Sequence, residues 1–264
     1  MSILKPRLAV CLDDLRMEVK AAMDVARRIG FRAIDVSAVR GPISPGELSA
    51  TGRRHLLRHL ADLGLSLGGL RGPTGAGSLA DPQSAERRID ETSRILELAA
   101  ALKVPTVSLT CGRFGVSGEG GIDRLREAFS VLADRADRWG VTLAIETSGV
   151  PTAQLGEILR GLDCPSLKAC CDSGAMLMQG EEPSTILANL RGRLALARLR
   201  DARSGTAEHA GQEVRLGEGQ LDVPHFLAAL DEAGLSGDII LTRAESARPA
   251  DELRSAREAI ERFL

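Results

Sequence analysis

The chain has 264 residues, 44% of them hydrophobic and 27% charged, so it can bury a full core. A net charge of −2 and a pI near 6.1 give no electrostatic footprint for nucleic acid or for an anionic membrane. The start, MSILKPRLAV, has no long apolar h-region, and no run approaches the roughly 18 apolar residues of a membrane span. The expectation is a soluble cytoplasmic protein with no nucleic-acid or membrane partner. Five cysteines (Cys11, Cys111, Cys164, Cys170 and Cys171) show no CxxC pair or framework spacing, which reads as free, reduced, core-like thiols. Tyrosine is absent and aromatics are few, leaving little from which to build a stacking platform.

In chain order, β-type runs alternate with amphipathic helical stretches. The strand candidates are RLAVCL (7–12), AIDVS (33–37), LSLGGL (65–70), VPTVSLT (104–110), VTLAIE (141–146), LKACCD (167–172), LALARLR (194–200) and DIILTR (238–243). Helical patterns include 85–102 and 122–139; Ile89, Leu96 and Leu98 recur among charges in the first, and Asp81-Pro82 is a helix-entry signal. Gly30, Gly64, Gly140 and Gly234 each stand between a helix and the next strand, where a left-handed cap is wanted. Eight such units with no linker predict one (β/α)₈ barrel domain over 1–264. An open doubly wound sheet would carry a Gly-rich nucleotide turn after its first strand, and CLDDL has no GxGxxG.

Side-chain parity then assigns faces. The outer face of each barrel strand packs under helices and must be apolar, while alternate residues point inward. In VTLAIE, Val141, Leu143 and Ile145 form the outer set, which turns Glu146 in at the C-terminal mouth. The same logic turns in Asp35 of AIDVS, Asp172 of LKACCD and Thr242 of DIILTR. In LALARLR, Ala195, Ala197 and Leu199 make the outer set, and Arg198 and Arg200 point into the barrel. Active sites of such barrels lie at this end, so the mouth is expected to collect Glu146, Asp172, Arg198, Arg200 and Thr242, with Asp13 and Asp35 nearby.

These segments resemble the sugar phosphate isomerase/epimerase superfamily, the xylose-isomerase-like TIM barrels, over essentially the whole chain. GVTLAIETSG (140–149) is similar to the family's fifth-strand segment ending in a metal-binding Glu. LDCPSLKACCDSGAML (162–177) resembles the sixth, where Asp is followed three residues later by His. RLALARLRDAR resembles a seventh-strand motif, and LGEGQLDVPHFLAALDEAGLSGDIILTR (216–243) the last unit, which normally ends in a catalytic Glu. LGEG with the helix and strand that follow it is the most specific of these signals. The resemblance implies isomerase or epimerase chemistry on a small sugar, sugar phosphate or sugar acid, with Glu146 and Asp172 as remnant metal ligands. The remaining ligand positions depart from the pattern: Ala175 stands for the sixth-strand His, Arg198 for the seventh-strand His, and Thr242 for the last-strand Glu.

An isomerase of this kind removes a weakly acidic proton while a divalent ion stabilises the enolate-like charge. Threonine is no base near neutral pH, and two carboxylates alone hold Mn²⁺ or Mg²⁺ weakly. The expectation is therefore no cofactor, or a weakly bound divalent cation (Mn, Mg or Zn). Arg198, a fixed cation, is expected to reach toward Glu146 and Asp172 where the metal would sit. If the protein is active, Glu146 is the base, Asp172 an orienter and Arg198 the electrophile or anion clamp. The alternative is a catalytically inactive barrel that binds a sugar-like or anionic ligand. An endonuclease activity on abasic DNA, as in related barrels, is disfavoured by the pI. Arg71 in GGLRGPTG and Arg113 in TCGRFG lie on Gly-rich mouth loops and extend an anion-binding pocket, with His209 on the loop after the seventh strand also within reach of substrate. His55 and His59 read as a solvated helix face, His225 as surface, and Lys168 as a partner for acid deeper in the barrel. Homo-oligomerisation is left open.

Overall fold

A computed structural model describes residues 6–74, 77–112, 120–206 and 209–264. Its strands are β1 (Leu8–Cys11), β2 (Ala33–Ser37), β3 (Ser66–Arg71), β4 (Thr106–Thr110), β5 (Thr142–Glu146), β6 (Leu167–Asp172), β7 (Leu194–Leu199), β8 (Asp201–Arg203), β9 (Gln212–Val214) and β10 (Ile239–Leu241). The helices are α1 (Val19–Ile29), α2 (Ala50–Leu63), α3 (Pro82–Leu102), α4 (Gly121–Trp139), α5 (Thr152–Leu162), α6 (Ser173–Met178), α7 (Pro183–Ile186), α8 (Val223–Ala233) and α9 (Pro249–Ile260). β1 to β7 and β10 pair in parallel and close into a barrel, with Leu8 to Val10 of β1 in register with Ile239 to Leu241 of β10. The chain is thus a TIM barrel. The antiparallel pair β8–β9 is an insertion between β7 and α8.

Local chemistry sets the element ends. Ser49, Asp81 and Asp222 cap α2, α3 and α8 by accepting a main-chain N–H. Gly30, Gly64, Gly140 and Gly234 take positive φ at the helix C-termini. The barrel wall follows parity: Ile34, Val36, Leu143, Ile145, Ile239 and Leu241 belong to the main core with the helices, while Ala9, Cys11, Ala33, Ala144, Cys170 and Ile240 form a separate cluster inside the barrel. One position departs from the expected face. Ala195, read as outward, lies in the interior cluster beside Leu196, and Leu194 packs outside. The β6–β7 register shifts here: Ala169 faces Leu194 but Cys170 faces Leu196. The extra β7 residue lets two neighbours turn inward before alternation resumes at Ala197.

Two polar devices brace the shell. At the strand N-terminal end, Arg7 donates Nε and Nη2 to the two oxygens of Asp238, at 3.0 and 2.8 Å, and Nη1 to Ser66 Oγ at 2.7 Å. At the other end, the carboxylate of Asp201 is buried and accepts four main-chain N–H groups. Oδ1 takes those of Ala202 (2.9 Å) and Leu221 (3.0 Å); Oδ2 takes those of Gly217 and Gly219, both at 2.9 Å. This carboxylate shapes LGEG: a Cβ on Gly219 would stand 2.1 Å from Asp201 Oδ1, and Gly217 has φ of +90°.

Candidate functional site

Arg198, 3% exposed, occupies the barrel interior below the mouth. Its Nε donates to Glu146 Oε1 at 3.0 Å, Nη1 to Asp35 Oδ1 at 2.9 Å and Nη2 to Ser108 Oγ at 2.8 Å. One side chain thereby ties β7 to β5, β2 and β4. Gly69 makes the room: a Cβ there would lie 2.8 Å from Asp35 Oδ2, an oxygen with no hydrogen-bond partner among the described residues. Burial works against the guanidinium charge, but Asp35 and Glu146 outweigh it and hold the group protonated.

The second carboxylate on Arg198 is Asp35, which corrects the expected pairing with Asp172. Asp172 ends β6 and caps α6, its Oδ1 accepting the Ala175 N–H at 2.9 Å. In that orientation Arg200 clasps it with two parallel bonds, Nε to Oδ1 at 2.8 Å and Nη2 to Oδ2 at 2.9 Å. Burial pushes the Asp172 carboxyl up, yet the charge and hydrogen bonds of Arg200, with the Ala175 N–H, bring it below the usual aspartate range. Arg200 also donates Nη1 to Glu213 Oε2 at 2.9 Å. Glu213 in turn accepts Arg243 Nη1 at 2.8 Å, and Arg243 Nε donates to Glu252 at 2.5 Å.

Around the rim, Arg71 donates to Asp13 at 2.8 Å, and the same oxygen accepts the Ser37 N–H at 2.8 Å. Asp14, 7% exposed, accepts the Arg243 N–H at 2.7 Å. Burial lifts the Asp14 carboxyl above its ordinary value against the pull of Arg243 and Arg71. Burial likewise keeps Cys11 and Cys170 as protonated thiols. Thr242 Oγ1 is buried with no hydrogen-bond partner among the described residues.

Of the remaining expected residues, His209 lies exposed on its loop, its N–H donating to Thr206 Oγ1 at 3.1 Å. Arg113 lies outside the described residues. Lys168 donates to Ser236 Oγ at 3.2 Å rather than pairing with acid inside the barrel. The structure adds Ser108, Asp14, Glu213 and Arg243 to the charged assembly. Ser108 shares the inward parity that VPTVSLT already carried, whereas the partners of Glu213 and Arg243 depend on the β8–β9 insertion.

The donor set does not fit a divalent cation. An oxygen of Glu146 and both of Asp172 accept bonds from guanidinium groups. Among the described residues no group of three or more His, Cys, Asp or Glu side chains could hold a metal ion. A closed parallel barrel with its charged groups gathered at the strand C-terminal ends defines a TIM barrel built to present a site at that face. The chain belongs to the xylose isomerase-like TIM barrel family, whose model matches residues 23–263. A xylose isomerase domain protein from Planctomyces limnophilus superposes with a TM-score of 0.82 at 18% identity, over 98% of each chain. A magnesium complex of a xylose isomerase-like TIM barrel protein from Mycobacterium smegmatis gives 0.78 at 17% identity, over 98% of this chain and 96% of that one. The D-psicose 3-epimerase of Clostridium cellulolyticum H10, solved with D-tagatose, gives 0.75 at 15% identity, over 98% and 99%. No curated protein sequence matches the chain. No described helix is long and apolar enough to cross a membrane.

Proposed function

We propose that the mouth binds a small carbohydrate, with Arg198 beneath it as a fixed positive charge that compensates Glu146 and Asp35, and performs no metal-dependent isomerisation. The observation that carries this reading is the engagement of all three Arg198 nitrogens by Glu146, Asp35 and Ser108. Family membership and the likeness to a D-psicose 3-epimerase support the carbohydrate class. Proton abstraction beside a carbonyl needs a free base and a group that stabilises the developing oxyanion. Glu146 and Asp172 are bound to arginines, and Thr242 offers no basic group. The residues present therefore suit orientation and charge compensation better than proton transfer.

Purified protein is expected to contain far less than stoichiometric Mn, Mg or Zn by elemental analysis, and to exchange no solvent deuterium into D-tagatose. Arg198→His combined with Thr242→Glu is expected to raise the bound metal. A tightly held divalent ion at Glu146 and Asp172 in the natural protein would overturn the reading. So would deuterium exchange that disappears in Glu146→Gln, which would make Glu146 a base and Arg198 the electrophile of a metal-free epimerase.

A further inference from the structure

Beside the mouth, a groove of about 960 Å³ runs between the loop after β2, the segment after β3 and the outer face of α3. That volume falls in the range of small-molecule sites, roughly 300–1,000 Å³. Its inner end touches Ser37 and Thr74, at the rim where β2 and β3 finish, and its outer wall carries Arg87 and Arg94 with Arg40 opposite. Arg87, Glu91 and Arg94 share one face of α3 through their i, i+4 and i, i+3 spacing. Beneath them Arg88 holds the floor in place, donating to the carbonyls of Pro73 at 3.0 Å and Thr110 at 2.6 Å.

The charge balance distinguishes this groove from the mouth. Arg71, Arg198, Arg200 and Arg243 at the mouth each face a carboxylate at 2.8 to 3.0 Å. Arg40, Arg87 and Arg94 are exposed, and none forms an ion pair among the described residues. The groove lining carries four arginines against two glutamates, in a chain whose net charge is −2. A cleft whose low-dielectric walls carry one dominant sign of charge concentrates counter-ions.

We propose that this groove is an anion subsite that takes a phosphate or carboxylate group carried by the ligand whose sugar portion occupies the mouth. The proposal rests on the carbohydrate-binding reading and narrows its ligand class to phosphorylated or acidic sugars. It also relocates anion recognition from the mouth arginines, which are neutralised in place, to the α3 side of the rim. Guanidinium groups suit phosphate and carboxylate through paired N–H bonds.

Isothermal titration with inorganic pyrophosphate at low ionic strength tests it. The natural protein is expected to bind, with affinity falling as salt is added. Arg87→Ala with Arg94→Ala is expected to weaken binding tenfold or more, while Arg28→Ala with Arg58→Ala, at exposed positions on α1 and α2, leaves it unchanged. Absence of pyrophosphate binding, retention in the groove variant, or an equal loss in the control variant would overturn the subsite. A parallel titration with D-tagatose reads the mouth separately: loss of sugar binding with intact pyrophosphate binding refutes the carbohydrate reading alone, and the reverse refutes the groove alone.

Discussion

At the scale of the residue, Arg198 is both the most constrained cation and the one with the clearest energetic consequence. Its burial gains stability only because its carboxylate partners are also present. Arg198→Met is expected to cost about 3–5 kcal/mol in urea denaturation, since it strands two buried carboxylates; adding Asp35→Asn and Glu146→Gln should recover much of that loss. Two buried aspartates, Asp172 and Asp14, act in opposite senses. Asp172 has a lowered folded pKa, so its contribution is complete above the unfolded aspartate value and is lost as pH falls through the folded one. Asp172→Asn is expected to destabilise at neutral pH and to flatten the acid limb of the stability profile. Asp14 has a raised folded pKa, so its contribution is present below the unfolded value and is lost as pH rises through the folded one. Asp14→Asn is expected to equal or exceed the natural protein at neutral pH and to lose that advantage in acid. Parity alone made the inward facing of Asp35, Glu146 and Arg198 legible. The choice of Asp35 over Asp172 was not, because it depends on how far a guanidinium reaches across the barrel and on α6 having claimed Asp172.

At the scale of the element, the β8–β9 insertion is the part that sequence patterning left unseen. Its strands, DAR and QEV, are three residues each, too short for a period to emerge against background. Its attachment is electrostatic: Glu213, with a fully buried side chain, bridges Arg200 and Arg243. Glu213→Ala leaves two arginines without that shared anion and is expected to destabilise by about 3 kcal/mol. Hydrogen exchange should quicken in 201–214 more than in the barrel strands; uniform protection would show that the pair is held by its backbone ladder alone. The bulge between β6 and β7 escaped notice for a related reason, since a single extra residue in LALARL leaves an apolar run apolar.

At the scale of the whole molecule, eight strands were legible because each is a short apolar run next to a helical stretch, with Gly30, Gly64, Gly140 and Gly234 marking four of the helix ends, and closure follows from their number. The contact that seals the N-terminal end spans the sequence from Arg7 to Asp238 and could not be read from spacing. Asp238→Ala should loosen the β1–β10 seam, costing about 1 kcal/mol and lowering the melting temperature by roughly 2–4 °C, as measured by calorimetry. A Gly68→Ala substitution probes the same seam from its other side, because the added Cβ would stand 2.2 Å from Asp238 Oδ2.

The Asp201 turn bears on how kinship is inferred from genomes. Its carboxylate recruits main-chain amides of Ala202, Gly217, Gly219 and Leu221, so the glycines of LGEG have a structural reason of their own. A lineage can keep that signature while the side chains at the mouth change. Database searches weighted toward LGEG will gather ancestry faithfully and chemistry indiscriminately; positions 175, 198 and 242 are where the two should be told apart.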